Sequence, residues 1–176
     1  EKPFPYPWEA IAALFHPGKN QVSIFLHAGA SFLRWLAGFG IAAFCGIVIG
    51  SLMGLFPKIN LILTPFVATL QLIPGLAWIP IVLILFGLGT FSAIFMIAVT
   101  SIVPIIINTR AGILQIEPVL FKASDMMELS HGTRFRKIIL PGASPLIISG
   151  LRIGVANGFR VLISAEMILG SGIGLG

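Results

Sequence analysis

Residues 59–109, INLILTPFVATLQLIPGLAWIPIVLILFGLGTFSAIFMIAVTSIVPIIINT, form a segment of about fifty residues without a single Asp, Glu, Lys or Arg. One helix that crosses a bilayer core takes about 20 apolar residues, so this segment predicts two crossings rather than one. Inside lipid every backbone polar group must be satisfied within the structure, which only helices or a closed barrel achieve. Barrel strands alternate apolar and polar residues, whereas runs such as Ile81–Phe86 do not alternate. The segment therefore predicts membrane-spanning helices.

The composition of the whole chain agrees with a membrane protein. Hydrophobic residues make up 57% of the 176 residues and charged residues 10%, whereas soluble domains carry about 25% charged residues. The net charge of +5 does not indicate a nucleic-acid partner, because basic residues of membrane proteins accumulate in loops that stay in the cytoplasm. The single cysteine, Cys45, lies in an apolar run and is expected to be a small packing residue.

We predict an all-α membrane protein with about four crossings, at residues 28–56, 59–86, 91–108 and 141–167. The first has Arg34 and Trp35 near its start, where a snorkelling Arg and an interfacial Trp are favourable. The second contains Pro65, Pro74 and Pro80, so it should be kinked or broken.

Two short turns are expected between these crossings. One is Pro57–Asn60, which carries a single positive charge, and the other is the uncharged Phe86–Thr90. Pro104 is expected near the end of the third crossing.

Glycine recurs every fourth residue in the first and last crossings. This spacing places the glycines on one helix face, where a second backbone can approach closely. The predicted packing glycines are Gly46, Gly50, Gly54, Gly150, Gly154 and Gly158.

The basic residues predict the orientation in the membrane. Lys58 and the polar loop 110–137 flank two crossings, so they share one side, and together they hold six Lys and Arg residues. The richer side should be cytoplasmic. Residues 1–27, rich in proline and aromatic side chains, then form an extracytoplasmic segment at the membrane interface or an ordinary connecting loop. Residues 28–176 form the membrane domain.

The sequence patterns of common catalytic sites do not occur. The phosphate-binding loop G-x-x-x-x-G-K-[ST], the zinc-protease pattern H-E-x-x-H and the serine elbow G-x-S-x-G are missing. His16, His27 and His131 are too scattered to predict a metal site. The chain is therefore predicted not to be an enzyme and to bind no cofactor of its own.

Residues 122–141 resemble the cytoplasmic loop of binding-protein-dependent ABC importer permeases. The pattern of that loop is E-A-A-x-x-x-G, followed after nine residues by I-x-L-P. Four positions match, namely Ala123, Ile138, Leu140 and Pro141, and three depart, namely Lys122, Ser124 and Glu128. Glu128 stands where the pattern has glycine.

The surrounding sequence resembles the subfamily that imports nitrate, sulfonate, taurine and related small solutes. The stretches that carry this resemblance are Leu72–Pro80, Phe86–Gly89, Ile105–Gly112, Gly150–Ile153 and Ala165–Met167. The resemblance covers about Val22–Gly176. Members usually have six crossings, so we expect one more crossing before this chain and one after it.

The resemblance implies the transmembrane domain of a type I ABC importer in the bacterial inner membrane. Such a permease pairs with a second copy around a central pathway and docks a loop helix into a separate ATPase, which binds ATP and Mg²⁺. An extracytoplasmic substrate-binding protein delivers the solute. The implied function is passage of a small solute, such as the anions nitrate and sulfonate, or taurine.

A short helix outside the membrane is predicted from Pro118 to Glu128, because proline costs little at a helix start. Its apolar side chains can bury one face in a groove of a partner, and Met adapts well to such surfaces. Leu140 and Pro141 then link it rigidly to the last crossing. The predicted ATPase-coupling residues are Val119, Phe121, Lys122, Ala123, Ser124, Met126, Met127, Glu128, Gly132, Ile138, Leu140 and Pro141.

Three charged residues lie in the last predicted crossing, where a charge costs about 2.5–3.5 kcal/mol and marks a candidate functional site. Arg152 and Arg160 lie about 80° apart around a helix, so both can face the pathway and attract anions. Alternatively each caps carbonyl groups of a broken helix, pairs with Glu166 or snorkels. The predicted pathway residues are Gln71, Pro74, Trp78, Asn108, Arg152, Asn157, Arg160 and Glu166.

Two other functional classes remain open. A secondary transporter or channel driven by an ion gradient also uses broken helices and charges near the membrane midplane, but it has no need of an ATPase dock. A non-transporting membrane scaffold would leave Arg152 and Arg160 unexplained.

Overall fold

The computed structural model describes residues 24–169, and this part of the chain is helical without a strand. The helices are α1 (Ile24–Leu55), α2 (Pro57–Leu72), α3 (Ile79–Phe86), α4 (Thr90–Leu114), α5 (Pro118–Met126), α6 (His131–Arg134) and α7 (Leu140–Leu169). A 3₁₀ turn, Gly75–Trp78, precedes α3, and a π-helical turn, Phe135–Ile139, joins α6 to α7. Of the predicted outer segment 1–27, only residues 24–27 are described, and they already belong to α1.

Three helices within residues 24–169 are long and apolar enough to cross a membrane: Leu26–Leu55, Thr90–Leu114 and Gly132–Ile168. Pro57–Leu72 and Gly75–Phe86 together form a fourth candidate, which is bent by 99° at its break. The predicted all-α membrane fold with about four crossings is therefore confirmed, and the second crossing is the broken one.

The break in the second crossing lies at Pro74. Ile73 and Pro74 have extended backbones, with ψ angles of 115° and 140°, because proline disfavours the helical conformation of the residue before it. Pro65 lies inside α2, and Pro80 lies in the first turn of α3, where the missing N–H costs little. Only one of the three prolines therefore interrupts the helix.

The connection between α1 and α2 is shorter than predicted. The expected turn at Pro57–Asn60 was wrong, because these residues form the first turn of α2. Phe56 alone is extended, with φ −117° and ψ 104°. Proline suits the first helical position because its φ angle is fixed near the helical value.

The turn before α4 is confirmed, whereas the predicted end of this crossing was wrong. Gly87 and Gly89 have φ angles of 71° and 140°, a region that favours glycine. The helix does not end at Asn108 but continues to Leu114, so that Pro104 lies within it.

Helix α4 is the centre of the bundle, and α1 packs on one of its sides. A Cβ atom added at three α1 glycines would stand only 2.7–2.8 Å from α4 side chains, closer than carbon atoms pack. The contacts are Gly46 with Ile105, Gly50 with Thr109 and Gly54 with Ile113. The spacing of four residues therefore lets the two backbones approach each other.

Helix α7 approaches α4 from another side in the same way. Added Cβ atoms at its glycines would stand 2.8, 3.0 and 2.8 Å from α4 side chains. The contacts are Gly150 with Asn108, Gly154 with Ile105 and Gly158 with Ser101. The hydroxyl group of Ser101 also donates to the carbonyl oxygen of Gly154 at 3.0 Å. Ile105 is thus held between a glycine of α1 and a glycine of α7.

Replacing Gly50 with alanine should destabilise the bundle by about 1–3 kcal/mol, because the new Cβ would stand 2.7 Å from Thr109 and 2.8 Å from the carbonyl oxygen of Ile106. Gly40→Ala is the matched control on the same helix, since nothing lies within 4 Å of that position. Thermal unfolding in detergent measures both variants. Equal melting temperatures would contradict the role of close packing.

Candidate functional site

A cavity of about 570 Å³ lies beside the break between α2 and α3, and α4 and α7 complete its walls. Six of the eight residues predicted to form a pathway line it. They are Gln71, Pro74, Trp78, Asn108, Asn157 and Arg160. The structure thus brings together residues from four separate helical segments.

Gly75 explains how the break comes to lie over the bundle. A Cβ atom added there would stand 2.9 Å from the Cγ2 atoms of both Thr100 and Val161. The backbone of the 3₁₀ turn therefore lies directly against α4 and α7. The extended residues before it open the space that becomes the cavity.

The polar groups of the cavity are amides and hydroxyls, with one charge among them. Arg160 is the only charged side chain among the described lining residues. Asn157 lies three residues earlier, on the same helix face. The amide group of Asn108 donates to the carbonyl oxygen of Pro104 at 2.8 Å, which fixes its side chain. A mostly apolar pocket with one cation and a few amides can bind a small anion.

Arg152 lies elsewhere on α7. It is exposed and does not line the cavity. The α7 residues that do so, including Ile153, Asn157 and Arg160, repeat at the spacing of one helix face. Arg152 thus does not share this cavity with Arg160, because it is rotated away from this face.

Glu166 also lies outside the cavity. It is buried at 3% exposure and accepts hydrogen bonds from Arg34 Nη1 at 2.8 Å and Ser31 Oγ at 2.7 Å. The Nε atom of Arg34 donates to Thr90 Oγ1 at 3.3 Å. This ion pair joins α1 to the end of α7 and the start of α4. Glu166 therefore pairs with neither Arg152 nor Arg160.

The prediction that Arg34 snorkels and Trp35 lies at the interface was wrong. Both residues are buried, each at 8% exposure. The indole ring of Trp35 stacks on Phe39 and on Phe159, with ring centres 5.2 and 4.5 Å away. The packing of α1 against α4 and α7 turns this part of α1 toward the protein. The adjacent carboxylate then supplies the partner that makes a buried arginine acceptable.

The predicted helix after the third crossing is confirmed as α5, which begins at Pro118. Phe121 lies on the face of α5 that packs against the bundle, which we call the inner face. The guanidinium carbon of Arg134 stands 5.0 Å from the centre of the Phe121 ring. Arg134 Nη1 also pairs with Asp125 Oδ1 at 2.6 Å. Phe121 packs against an apolar cluster of Ile113, Ile116, Ile139, Ala143 and Ile147. The loop is therefore tied to the ends of α4 and α7.

The outer face of α5 is apolar. The exposed fractions are 59% for Val119, 45% for Leu120, 88% for Met126 and 70% for Met127. Phe121 was expected to share this surface but belongs to the inner face. Leu120 was missed, although its distance of three residues from Ala123 and seven from Met127 is the spacing of one helix face.

Glu128 lies two residues after the end of α5 and adopts a left-handed backbone conformation that favours glycine. Its φ angle is 49°, the only positive value for a non-glycine residue in the described part of the chain. The N–H group of Leu129 donates to the carbonyl oxygen of Ser124 at 3.2 Å and closes the helix end. Ser124 itself is buried and donates to the carbonyl oxygen of Phe121 at 2.6 Å. The turn is thus kept although the side chain differs from the expected pattern.

Four further residues of the predicted coupling loop, Gly132, Ile138, Leu140 and Pro141, lie in a continuous helical run, whereas Lys122 and Ala123 are exposed on α5. This run extends from Gly132 to Ile168 over 37 residues. Ile138 packs on the same apolar cluster as Phe121, and Leu140 and Pro141 begin α7. Because no break separates α6, the π-helical turn and α7, a movement of the loop can reach α7 as a rigid-body motion.

Comparison with known proteins extends these observations. Residues 46–176 match the family described as binding-protein-dependent transport system inner membrane component. The chain is 37% identical over 159 residues to the bicarbonate transport system permease protein CmpB of Synechococcus elongatus, covering 90% of this chain and 57% of that protein.

Two further relatives are similar to the chain to a comparable degree. The nitrate import permease protein NrtB of Synechocystis sp. is 37% identical over 162 residues, which cover 92% of this chain and 58% of that protein. The taurine transport system permease protein TauC of Escherichia coli is 33% identical over 151 residues, which cover 86% and 55%. The chain thus spans less than two thirds of the length of these relatives.

Replacing Arg34 with methionine should cost about 3–5 kcal/mol, because it removes the guanidinium group that donates to the buried carboxylate of Glu166. The double variant Arg34→Met/Glu166→Met should recover most of this loss, since both charges are then removed. Thermal unfolding in detergent of the two single variants and the double variant measures the coupling.

Asp125→Ala is the control for that experiment, because it breaks an ion pair whose carboxylate side chain is 65% exposed. It should cost less than about 1 kcal/mol. Additive losses at Arg34 and Glu166 would show that the two side chains do not stabilise each other.

Proposed function

This chain belongs to the family of binding-protein-dependent transport system inner membrane components, and we propose that it is part of the permease subunit of an ATP-driven importer of a small anion. The observation that carries the proposal is the 37-residue helical run from Gly132 to Ile168. It holds the coupling loop at one end and Arg160 of the cavity further along. An ion-gradient-driven transporter would have no use for such a link, and family membership argues against that class.

The cavity beside the helix break is proposed to form part of the translocation pathway. Arg160 supplies a positive charge, while Asn108 and Asn157 supply amide groups that can replace water around an ion. The relatives are named for bicarbonate, nitrate and taurine, and each of these carries a negatively charged oxygen group. This chemistry supports a small oxyanion as the substrate class.

The outer face of α5 is proposed to dock into a groove on a separate ATPase subunit, which would bind ATP and Mg²⁺. An amphipathic helix that exposes Val119, Met126 and Met127 suits a groove of a partner. The inner face is already occupied by contacts of Phe121 within the chain. Docking would therefore move α5 together with α7 rather than pull it away from the bundle.

A second copy of the permease is proposed to pack against the exposed face of α7 that carries Arg152. This residue lies about 18 Å along α7 from Leu140, well inside the crossing. A charge there is costly when it faces lipid, whereas a homodimer could place it beside a shared pathway. On the opposite side of the membrane from α5, a substrate-binding protein would deliver the solute.

Replacing Arg160 with alanine should lower solute uptake about tenfold or more, since a hydrogen bond to a charged group contributes roughly 1.5–3 kcal/mol. Arg160→Lys keeps the charge and should retain most of the uptake. Uptake of labelled bicarbonate, nitrate and taurine is measured with the whole transporter, together with the amount of ATPase that copurifies. Unchanged uptake by Arg160→Ala would exclude this cavity from the pathway.

Replacing Met126 with glutamate should abolish copurification of the ATPase, because it would bury an unpaired charge in the docking surface. Gln115→Glu is the matched control, since it adds the same charge to an exposed position before α5. The ATPase band is quantified after mild detergent extraction. If both variants retain it equally, the outer face of α5 is not the dock.

A further inference from the structure

A second polar site lies on the outside of the bundle, between α2 and α4. We call it the α2–α4 groove, a depression of about 470 Å³ lined by Pro57, Asn60, Leu61, Thr64, Pro65 and Arg110. It is separate from the cavity that holds Arg160 and from the outer face of α5. Lys58 lies beside it, exposed in the first turn of α2.

The side chain of Arg110 makes no hydrogen bond or ion pair with the described residues. Its Nε atom is buried without a partner, and the carboxylates that form ion pairs in this part of the chain bind Arg34 and Arg134 instead. A buried guanidinium nitrogen is unfavourable unless an acceptor satisfies its N–H group. None of the described residues that line the groove is acidic.

The two neighbouring polar side chains, Thr64 and Asn60, bond to each other rather than to Arg110. The hydroxyl group of Thr64 donates to the carbonyl oxygen of Asn60 at 2.6 Å and to its side-chain oxygen at 3.1 Å. The amide nitrogen of Asn60 therefore remains as a donor beside Arg110. Phe56, which precedes α2, provides no side-chain hydrogen bond to the first turn of the helix. The guanidinium group of Arg110 and the amide nitrogen of Asn60 are donors that an oxyanion can bind.

The apolar surface above the groove distinguishes a lipid from a free ion. Further along α2, Leu61, Ile62 and Phe66 are 80%, 62% and 64% exposed. Polar donors thus lie at the end of the helix, and an exposed apolar surface continues from them into the crossing. A phosphate group attached to acyl chains matches both parts, whereas inorganic phosphate matches only the first.

We propose that the α2–α4 groove binds the phosphate group of an anionic phospholipid of the cytoplasmic leaflet. Arg110 and Asn60 hold the phosphate, Lys58 adds to the positive potential, and the acyl chains lie along Leu61 and Phe66. Basic pockets between helices on the cytoplasmic side commonly bind acidic headgroups. The proposal rests on the proposed function, because an ATPase that docks on α5 places this end of the bundle in the cytoplasm.

Native mass spectrometry of the full chain, taken from micelles with equal amounts of phosphatidylglycerol and phosphatidylcholine, tests the proposal. The unsubstituted protein should retain phosphatidylglycerol preferentially. Arg110→Gln should reduce that retention about fivefold, the usual effect of one basic residue at a membrane surface. Arg136→Gln removes an equal charge from an exposed residue outside the groove and should leave retention unchanged.

Two further variants keep the test decisive if Arg110→Gln does not fold. Asn60→Leu should also lower retention of phosphatidylglycerol, because it removes the amide donor. Arg110→Lys should lower it less than Arg110→Gln, since lysine keeps the charge but not the forked donor geometry. Equal retention by all variants would overturn the proposal.

Three other results would also overturn it. Equal losses for Arg110→Gln and Arg136→Gln would show diffuse attraction rather than a site. Displacement of phosphatidylglycerol by inorganic phosphate would identify a soluble ion as the ligand. Loss of the ATPase from Arg110→Gln with unchanged lipid retention would identify a protein carboxylate as the partner. Lipid retention is measured without transport, so its failure is distinguishable from a failure of the importer function.

Discussion

Close contact of α4 with two glycine-lined helix faces is the constraint on which the rest of this structure depends. Ile105 lies between Gly46 of α1 and Gly154 of α7, and neither contact leaves room for a side chain. In lipid, where helices gain little from hiding apolar surface, such backbone approach is a main source of association. Once α1, α4 and α7 are held together, Gly75 can lie over α4 and α7, and the cavity beside the helix break follows.

The same helix packing places Arg34, Arg110 and Arg160 in three different environments. Arg34 is buried against Glu166 and becomes part of the framework. Arg160 reaches the cavity, where no acidic side chain of the described residues neutralises it. Arg110 borders an outer groove with an unpaired donor. Arg110 and Arg160 are therefore functional candidates, because no described carboxylate pairs with them, whereas the satisfied pair of Arg34 and Glu166 is structural.

The segment around α5 is attached to the bundle on one face and exposes an apolar surface on the other. Phe121, Asp125 and Arg134 tie the helix to the bundle, while Met126 and Met127 remain exposed. Glu128 shows that the turn after α5 depends on backbone conformation more than on side-chain chemistry. With a φ angle of 49°, it takes the left-handed conformation that is usual for the glycine of the related pattern.

Local patterns in the sequence were sufficient for the helical membrane fold, a kinked or broken second crossing, the start of α5 at Pro118 and the spacing of the packing glycines. Each depends on residues close together in the chain, through apolar length, proline geometry or helical periodicity. Six of the predicted pathway residues line one cavity, although Asn108, Asn157 and Arg160 reach it only through the packing of α4 and α7. Leu120 could also have been predicted from helical spacing, because it shares a helix face with Ala123 and Met127.

Contacts between distant residues were decided by the tertiary structure alone. Arg34 and Glu166 are 132 residues apart, and nothing local indicates that they meet, so Arg34 looked interfacial and Glu166 looked like a pathway residue. The rotation of α7 about its axis likewise brings Arg160 to the cavity and leaves Arg152 outside. Sequence determines which residues share a helix and a face, whereas the neighbours of that face depend on how the helices pack.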